Sequence, residues 1–247
     1  MPLSRVAPIG LLFWSLKILS TGAGETGADF LDHTYSPLLI VAVSFLALVV
    51  SLVIQLKATK FSSVKYWTAI VMVSIFGTLA ADAVHVVFGI PYWVSTLAFT
   101  LALVSVFIVW HRTEKTLEMA NINTFRRELF YWTTVMVTFA LGTAAGDWMA
   151  MDLHLGFLTG ALVFTLLFVI PLVFSSVGVQ TTITFWLAYT FTRPMGASFA
   201  DWLALPPARG GLGFGTLPVT LAWLGLILLV AVFSFKRLTP IGSTNNK

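Results

Sequence analysis

The chain has 247 residues, of which 58% are hydrophobic, 14% aromatic and only 10% charged, whereas a soluble domain carries about a quarter charged residues. Apolar runs of about 20 residues, each long enough to cross roughly 30 Å of hydrocarbon, fill almost the whole chain and leave no separate soluble domain. Cysteine is absent, which excludes disulfides, thiolate metal sites and cysteine nucleophiles, and the formal net charge of +4 is explained by membrane orientation without nucleic acid.

The opening "MPLSRVAPIGLLFWSLKILSTGAGE" resembles a signal peptide in having a basic residue before an apolar run. Lys17 interrupts that run, and the segment is one copy of a repeat, so it is read as a retained span. Its motif is "FWSLKILSTGAGETGAD" at 13–29, followed by an apolar segment from Pro37. Next come "YWTAIVMVSIFGTLAAD" at 66–82 with a segment from Pro91, "YWTTVMVTFALGTAAGD" at 131–147 with one from Leu155, and "FWLAYTFTRPMGASFAD" at 185–201 with one from Gly215. The register is ungapped. An aromatic residue precedes Trp14, Trp67, Trp132 or Trp186; ten positions on stands Gly24, Gly77, Gly142 or Gly196; five further stands Asp29, Asp82, Asp147 or Asp201. Four copies at this fidelity are an internal repeat.

None of the four following segments contains Asp, Glu, Lys, Arg or His. The unit is therefore a motif helix plus a lipid-facing helix, and the predicted fold is an all-α integral membrane protein with eight transmembrane helices. Two spans per unit restore the starting side, so the four repeats run parallel rather than inverted. Tryptophan spacings of 53, 65 and 54 residues place an insertion in the middle. This divides the chain into a first half at 1–111, a cytoplasmic linker at 112–130, a second half at 131–235 pseudo-symmetric with the first, and a cytoplasmic tail at 236–247. Lys57, Lys60, Lys65, Arg112, Lys115, Arg126, Arg127, Lys236 and Arg237 mark one side, together with Arg5, whereas the opposite loops hold only Arg209. Both termini are expected in the cytoplasm.

Residues four apart share a helix face. Counting back from each aspartate gives Lys17, Thr21, Glu25, Asp29; Ile70, Ser74, Thr78, Asp82; Val135, Phe139, Thr143, Asp147; and Tyr189, Arg193, Ala197, Asp201. Nearly every polar side chain of the motif helices falls on this stripe, which should face inward. Glycine followed four residues later by Ala or Gly is a close-packing pattern, expected at Gly24, Gly77, Gly142 and Gly196 to gather the aspartates around a common axis. Four carboxylates so placed repel one another, so some should hold protons or share a cation, with Lys17 and Arg193 as the compensating charges. Ionisable residues within spans point to function because their insertion costs on the order of 2.5–3.5 kcal/mol each. The structural alternative is that the aspartates cap helix ends or pair with Lys17 and Arg193.

The tryptophans are expected as interfacial anchors at one depth. His85 and His154, with His33, lie near outer span ends as exposed loop residues or as a proton relay or accessory ligand. Pro171 and Pro194 are expected to kink their helices, and "RGGLGFGT" at 209–216 is read as a flexible loop because it lacks the strand and downstream acid of a phosphate site.

These four units resemble a bacterial family of membrane-anchored proteins built from four tandem two-helix membrane repeats of unknown function, some of them labelled predicted efflux proteins. The resemblance runs from Phe13 to Phe235, with "GETGAD", "GTAAGDW" and "TRPMGASFADWLALP" as its most specific pieces. It implies a bacterial inner-membrane protein and supplies no firm activity.

The function expected from the residues is a secondary transporter exporting a small cation, either a divalent metal such as Mn²⁺ or a proton-coupled cation. Glu25, Asp29, Asp82, Asp147 and Asp201 would serve as binding and metal-ligating groups, aided by Thr78 and Thr143. Met149 and Met151 leave softer metals open. Rival readings are a cation-selective channel and a structural or sensory protein with purely structural ion pairs. No enzyme activity and no organic cofactor are expected, since no Gly-x-Ser-x-Gly, His-Glu-x-x-His or paired-Cys motif is present. The expected partners are the lipid bilayer and a small cation, with a homodimer allowed.

Overall fold

The computed structural model describes residues 4–238, without the side chains of residues 86, 87 and 233–238. Among these are eight α-helices: α1 (Leu11–Thr34), α2 (Pro37–Leu56), α3 (Ser63–Phe88), α4 (Tyr92–Glu114), α5 (Phe125–Asp147), α6 (Gly156–Ser176), α7 (Thr181–Ala204) and α8 (Thr216–Leu238). Most of the tail expected at 236–247 lies outside the described residues. Local chemistry sets the ends. Pro37 opens α2 where no N–H is needed, the Thr124 hydroxyl accepts the Arg127 N–H at the start of α5, and Gly89 leaves α3 in the left-handed region. A π-helical turn, Trp148–Asp152, prolongs α5.

Among the described residues, five helical segments are long and apolar enough to cross a membrane: α2, residues 63–85 of α3, α4, α5 with its π-turn, and α6. The chain is thus a multi-pass membrane protein in contact with lipid. α8 adds a shorter apolar stretch, Thr216–Val232. The other two, α1 and α7, carry Lys17, Glu25, Asp29, Arg193 and Asp201 and are enclosed by their neighbours.

The four motif helices form a closed ring, in which α1 packs on α3, α3 on α5, α5 on α7, and α7 back on α1. The motif glycines are the contact points. Gly24 faces Ser74, Gly77 faces Phe139, Gly142 faces Arg193, and Gly196 faces Thr21. Each facing residue stands three positions before the next motif glycine, so one interface recurs four times head to tail and closes. The ring crosses the boundary between the two halves with the same contact used inside each half. Outside it, each lipid-facing helix packs mainly on the motif helix of the following repeat: α2 on α3, α4 on α5, α6 on α7, α8 on α1. Large exposed apolar side chains concentrate on these four outer helices.

At the basic end the ring is filled with aromatic residues. Phe13, Tyr66, Tyr131 and Phe185 come from the four equivalent positions and are buried with Trp132 and Trp186. Of the tryptophans expected as interfacial anchors, two turn inward. Trp132 and Trp186 are only 2% and 5% exposed, and Trp14 and Trp67 are half-buried against the same cluster. The Trp186 indole donates to the Leu117 carbonyl at 2.9 Å. Indoles at one depth of a helix ring can interlock edge to face as readily as reach headgroups, and here the ring closes over them.

The segment between α4 and α5 packs beneath this cluster through Met119 and Ile122, alongside Val6 and Ala7 of the N-terminal segment. Buried Glu128 ties these pieces together. It accepts from Gln55 Nε2 at 2.9 Å and Arg5 Nη1 at 3.3 Å, with the Trp132 indole at 3.5 Å, while Gln55 also donates to the Arg5 carbonyl. Glu128→Leu is expected to lower the unfolding free energy by about 1–3 kcal/mol, because Gln55 and Trp132 lose a buried acceptor. Thermal unfolding of the detergent-solubilised protein measures this, and an unchanged midpoint contradicts it.

Candidate functional site

Stacking the motif helices in register turns the sequence stripe into layers along the ring axis. Nearest the basic end are Phe13, Tyr66, Tyr131 and Phe185; then Lys17, Ile70, Val135 and Tyr189; then Thr21, Ser74, Phe139 and Arg193; then Glu25, Thr78, Thr143 and Ala197; and last the four aspartates. A helix rise of about 1.5 Å per residue separates successive layers by about 6 Å.

Arg193 joins all four repeats at the middle of this column. Its guanidinium, fully buried, donates from Nη2 to Glu25, to the Thr78 hydroxyl and, at 2.9 Å, to the Thr143 hydroxyl, and from Nη1 to the Thr21 carbonyl at 2.9 Å. Thr78 also approaches Glu25 at 3.1 Å and the Ser74 carbonyl at 3.0 Å, so its single hydrogen serves one or the other. Glu25, Thr78 and Thr143 occupy equivalent positions. The fourth repeat has Ala197 there, leaving room for the guanidinium that the same repeat supplies from one turn below. Arg193, expected as a counter-ion of the aspartates, pairs directly with Glu25, the single acid of this layer, and acts on Asp29, Asp82 and Asp147 from a distance.

Lys17 lies one layer deeper and pairs with no carboxylate, contrary to the expected compensating role. Its ammonium sits 3.9 Å from the centre of the Phe139 ring and 4.4 Å from that of Tyr189, and makes no hydrogen bond among the described residues. Phe139 also faces Arg193, whose Cζ is 5.2 Å from the ring centre. One aromatic ring therefore contacts both buried cations.

The four aspartates gather at the other end. Asp147 and Asp201 are buried, Asp29 and Asp82 half-buried, and Asp201 lies within electrostatic reach of Asp29, Asp82, Asp147 and Glu25. None forms an ion pair among the described residues, although Arg209 in the α7–α8 loop is near enough to act on Asp29 and Asp147. Among the described residues, no three His, Cys, Asp or Glu side chains come close enough to hold a metal ion. Glu25 is paired with Arg193. Met149 packs into the α6–α7 core and Met151 beside Phe157 and Leu205, so neither adds a soft ligand to the column.

His85 and His154 do not join the column. The His85 ring contacts the Ile90 carbonyl at 2.8 Å and the Ser95 hydroxyl at 3.3 Å, which fastens the α3–α4 turn, and His154 is exposed in a left-handed conformation after the π-turn. Helices α6 and α7 continue through Pro171 and Pro194. The loop containing Arg209 is held rather than free. Leu212, Gly213, Phe214 and Gly215 donate their N–H groups to the carbonyls of Trp202, Leu205, Leu203 and Ala204, with Gly210, Gly213 and Gly215 at positive φ. Those glycines fold the chain back along the end of α7.

Two groups of polar residues escaped the sequence reading: the Arg5–Gln55–Glu128 network and the tyrosine hydroxyls of the aromatic layer. The signal for the second was present, since two of the four residues preceding the motif tryptophans are Tyr and two are Phe.

A family model described as Repeat of Unknown Function (DUF347) matches residues 12–61, 65–116, 130–177 and 184–237, each match covering one motif helix and the outer helix after it. No curated protein and no solved structure matches the chain. With four tandem copies spanning most of its length, the chain belongs to the DUF347 repeat family.

Proposed function

We propose that the chain is a secondary transporter that exports a small monovalent cation in exchange for protons, sited in the bacterial inner membrane with its basic end and both termini in the cytoplasm. The observation that carries this reading is the buried Arg193–Glu25 pair, set where all four repeats meet. Burying two charges in a bundle core costs several kcal/mol per ion, and an apolar contact of equal volume would hold the helices as well. The pair makes sense if Glu25 exchanges partners. Arg193 is a tethered cation in a site that a proton or a solute cation occupies in turn, and its withdrawal frees the two threonine hydroxyls to accept from or coordinate the newcomer.

The aspartate layer, at the end away from the cytoplasm, suits a collar that concentrates cations and coupling protons at the outer mouth of the site. One carboxylate and two hydroxyls supply a single negative charge, which matches a monovalent ion or a small ammonium in a buried site. A passive channel fits less well, because Arg193 stands across the column. The test is flux into proteoliposomes from a panel of monovalent cations under an imposed pH gradient. Asp147→Asn and Asp82→Asn are expected to raise the cation concentration for half-maximal flux by about 5- to 30-fold, for about 1–2 kcal/mol of lost attraction. Unaltered flux for every cation contradicts the collar.

A further inference from the structure

We infer that a groove between α4 and α6 is a binding site for one anionic phospholipid of the leaflet at the basic end, with an acyl chain in the groove and the headgroup at its mouth. The site is separate from the axial column and does not depend on the transporter reading.

The groove has a volume of about 540 Å³, with Leu103 on its α4 wall, Phe164 on its α6 wall, and Gly142 of α5 and Pro194 of α7 in its floor. Along α7 it runs from Thr182 to Pro194, which is about 18 Å at the helix rise and slightly more than half of the roughly 30 Å of a bilayer's hydrocarbon. Val104, Ile183 and Leu187 line it and are exposed, so it opens sideways toward lipid. No charged residue lines it, and the hydroxyls of Thr100 and Thr190 donate to the carbonyls of Thr96 and Trp186 in their own helices. Such a lining suits an alkyl chain. The groove exists because the pseudo-symmetry breaks at this seam. At the next seam, between α6 and α8, Trp14 packs edge to face on Phe168 with ring centres 5.4 Å apart. Trp186, its counterpart on α7, packs on Phe107 of α4 at 5.2 Å and donates to the Leu117 carbonyl, one turn nearer the basic end. The 65-residue offset from Trp67 to Trp132 carries Leu103 of α4 to Phe168 of α6, so a smaller side chain stands where a phenyl ring closes the other seam.

The mouth lies at the basic end, where Leu117 and Thr182 line the groove. Arg112 and Lys115 stand exposed at the end of α4, Lys115 two residues from Leu117. Of the neighbouring acids, Glu114 is paired with Arg126 and Arg127, and Glu118 accepts from Asn121 at 2.7 Å, which leaves a surplus of positive charge. Helix α7 begins beside the same mouth at Thr181 without a side-chain cap, and the free N–H groups of its first turn add to the attraction for a phosphate. A cationic mouth continuous with an alkyl-lined groove about one leaflet long is complementary to an anionic phospholipid. Gly142 in the floor is the residue against which Arg193 packs, so the bound chain also covers the bundle wall behind the buried guanidinium.

Native mass spectrometry of the full chain in detergent, titrated with phosphatidylglycerol or with phosphatidylcholine of the same acyl chains, tests the site. One phosphatidylglycerol should saturate ahead of all further adducts, and phosphatidylcholine should bind several-fold more weakly. Thr100→Trp fills the groove from its exposed side and should weaken the first phosphatidylglycerol about tenfold or more, the effect of displacing two buried methylenes, with the thermal midpoint of the lipid-free protein unchanged. Leu103→Phe, which copies α6, should do the same from the buried wall. Lys115→Ala should weaken phosphatidylglycerol about fivefold and leave phosphatidylcholine unaltered. Absence of a saturable first lipid overturns the site, as does parent-like affinity in both groove-filling variants or equal affinity for the two headgroups. A lipid-free dimer that Thr100→Trp dissociates also overturns it, because a second copy of the chain then covers the groove.

Discussion

Arg193→Met is expected to lower the unfolding free energy by about 3–5 kcal/mol, because it leaves the Glu25 carboxylate buried without its partner. The loss should exceed that of Glu25→Gln. After Glu25→Gln the guanidinium still donates to Thr78, Thr143 and the Thr21 carbonyl, and the cost falls to about 1–3 kcal/mol. The double variant Arg193→Met, Glu25→Met is the informative one. An apolar pair of similar volume fills the same space without desolvated charge, so stability should return to within about 1–2 kcal/mol of the parent. Transport should not return. Chemical unfolding in mild detergent supplies the stabilities. A double variant as unstable as Arg193→Met alone contradicts the pairing, and one that transports normally contradicts the role given to the pair.

The second large effect is steric and follows from the closed ring. At Gly142 a Cβ would fall 2.3 Å from Arg193 Cγ, 2.6 Å from Arg193 Cβ and 2.9 Å from Pro194 Cδ. At Gly24 it would fall 1.8 Å from Ser74 Oγ and 2.3 Å from Ser74 Cβ, and at Gly196 it would fall 1.8 Å from Thr21 Oγ1. The atoms next to Gly142 and the Ser74 Cβ are fixed close to backbone and cannot swing aside. Gly142→Ala and Gly24→Ala are therefore each expected to cost about 3 kcal/mol or more through forced separation of the helices. Gly77 is looser, with Phe139 Cβ at 3.0 Å, and its alanine variant should cost about 1 kcal/mol. Gly27 is the control. A Cβ there meets Thr220 Cγ2 at an ordinary 3.5 Å, and the gain in helix propensity makes Gly27→Ala neutral or stabilising by up to about 1 kcal/mol. Ser74→Gly added to Gly24→Ala should recover part of the loss. Thermal midpoints across this series check the ring, and equal costs at Gly24 and Gly27 contradict it.

Much of the architecture could be read from the chain because repetition and helical period encode it directly. Trp, Gly and Asp at constant spacing marked the four copies, and steps of four from each aspartate put Lys17, Glu25, Thr78, Thr143 and Arg193 on faces that do meet. The glycines read as close-packing positions are where the motif helices touch. What eluded the sequence was partnership. The apolar stretches of α2, α4, α6 and α8 say that they face lipid, but nothing in a uniform run of Leu, Val and Phe says that each lies on the next repeat's motif helix. Nor does spacing reveal whether Trp132 and Trp186 point outward to headgroups or inward to an aromatic core, because both placements put them at one depth. Metal ligation is undecided by spacing for a related reason. Shared register predicts that acids lie at one level, whereas ligation needs them within one coordination sphere, and among the described residues no three His, Cys, Asp or Glu side chains group in that way. Glu25 was marked as exceptional by being unique among the repeats, yet its attachment to Arg193 required knowing that the fourth helix closes on the first.

The exchange of partners at Glu25 is tested most directly by cation-triggered collapse of a pH gradient in proteoliposomes, comparing the parent with Glu25→Gln. The account predicts that at least one monovalent cation collapses the gradient in the parent in a saturable way, while Glu25→Gln, inserted to the same level and folded, holds it at the rate of empty liposomes. Collapse by Glu25→Gln at the parent rate, or no response of the parent to any cation, would contradict it.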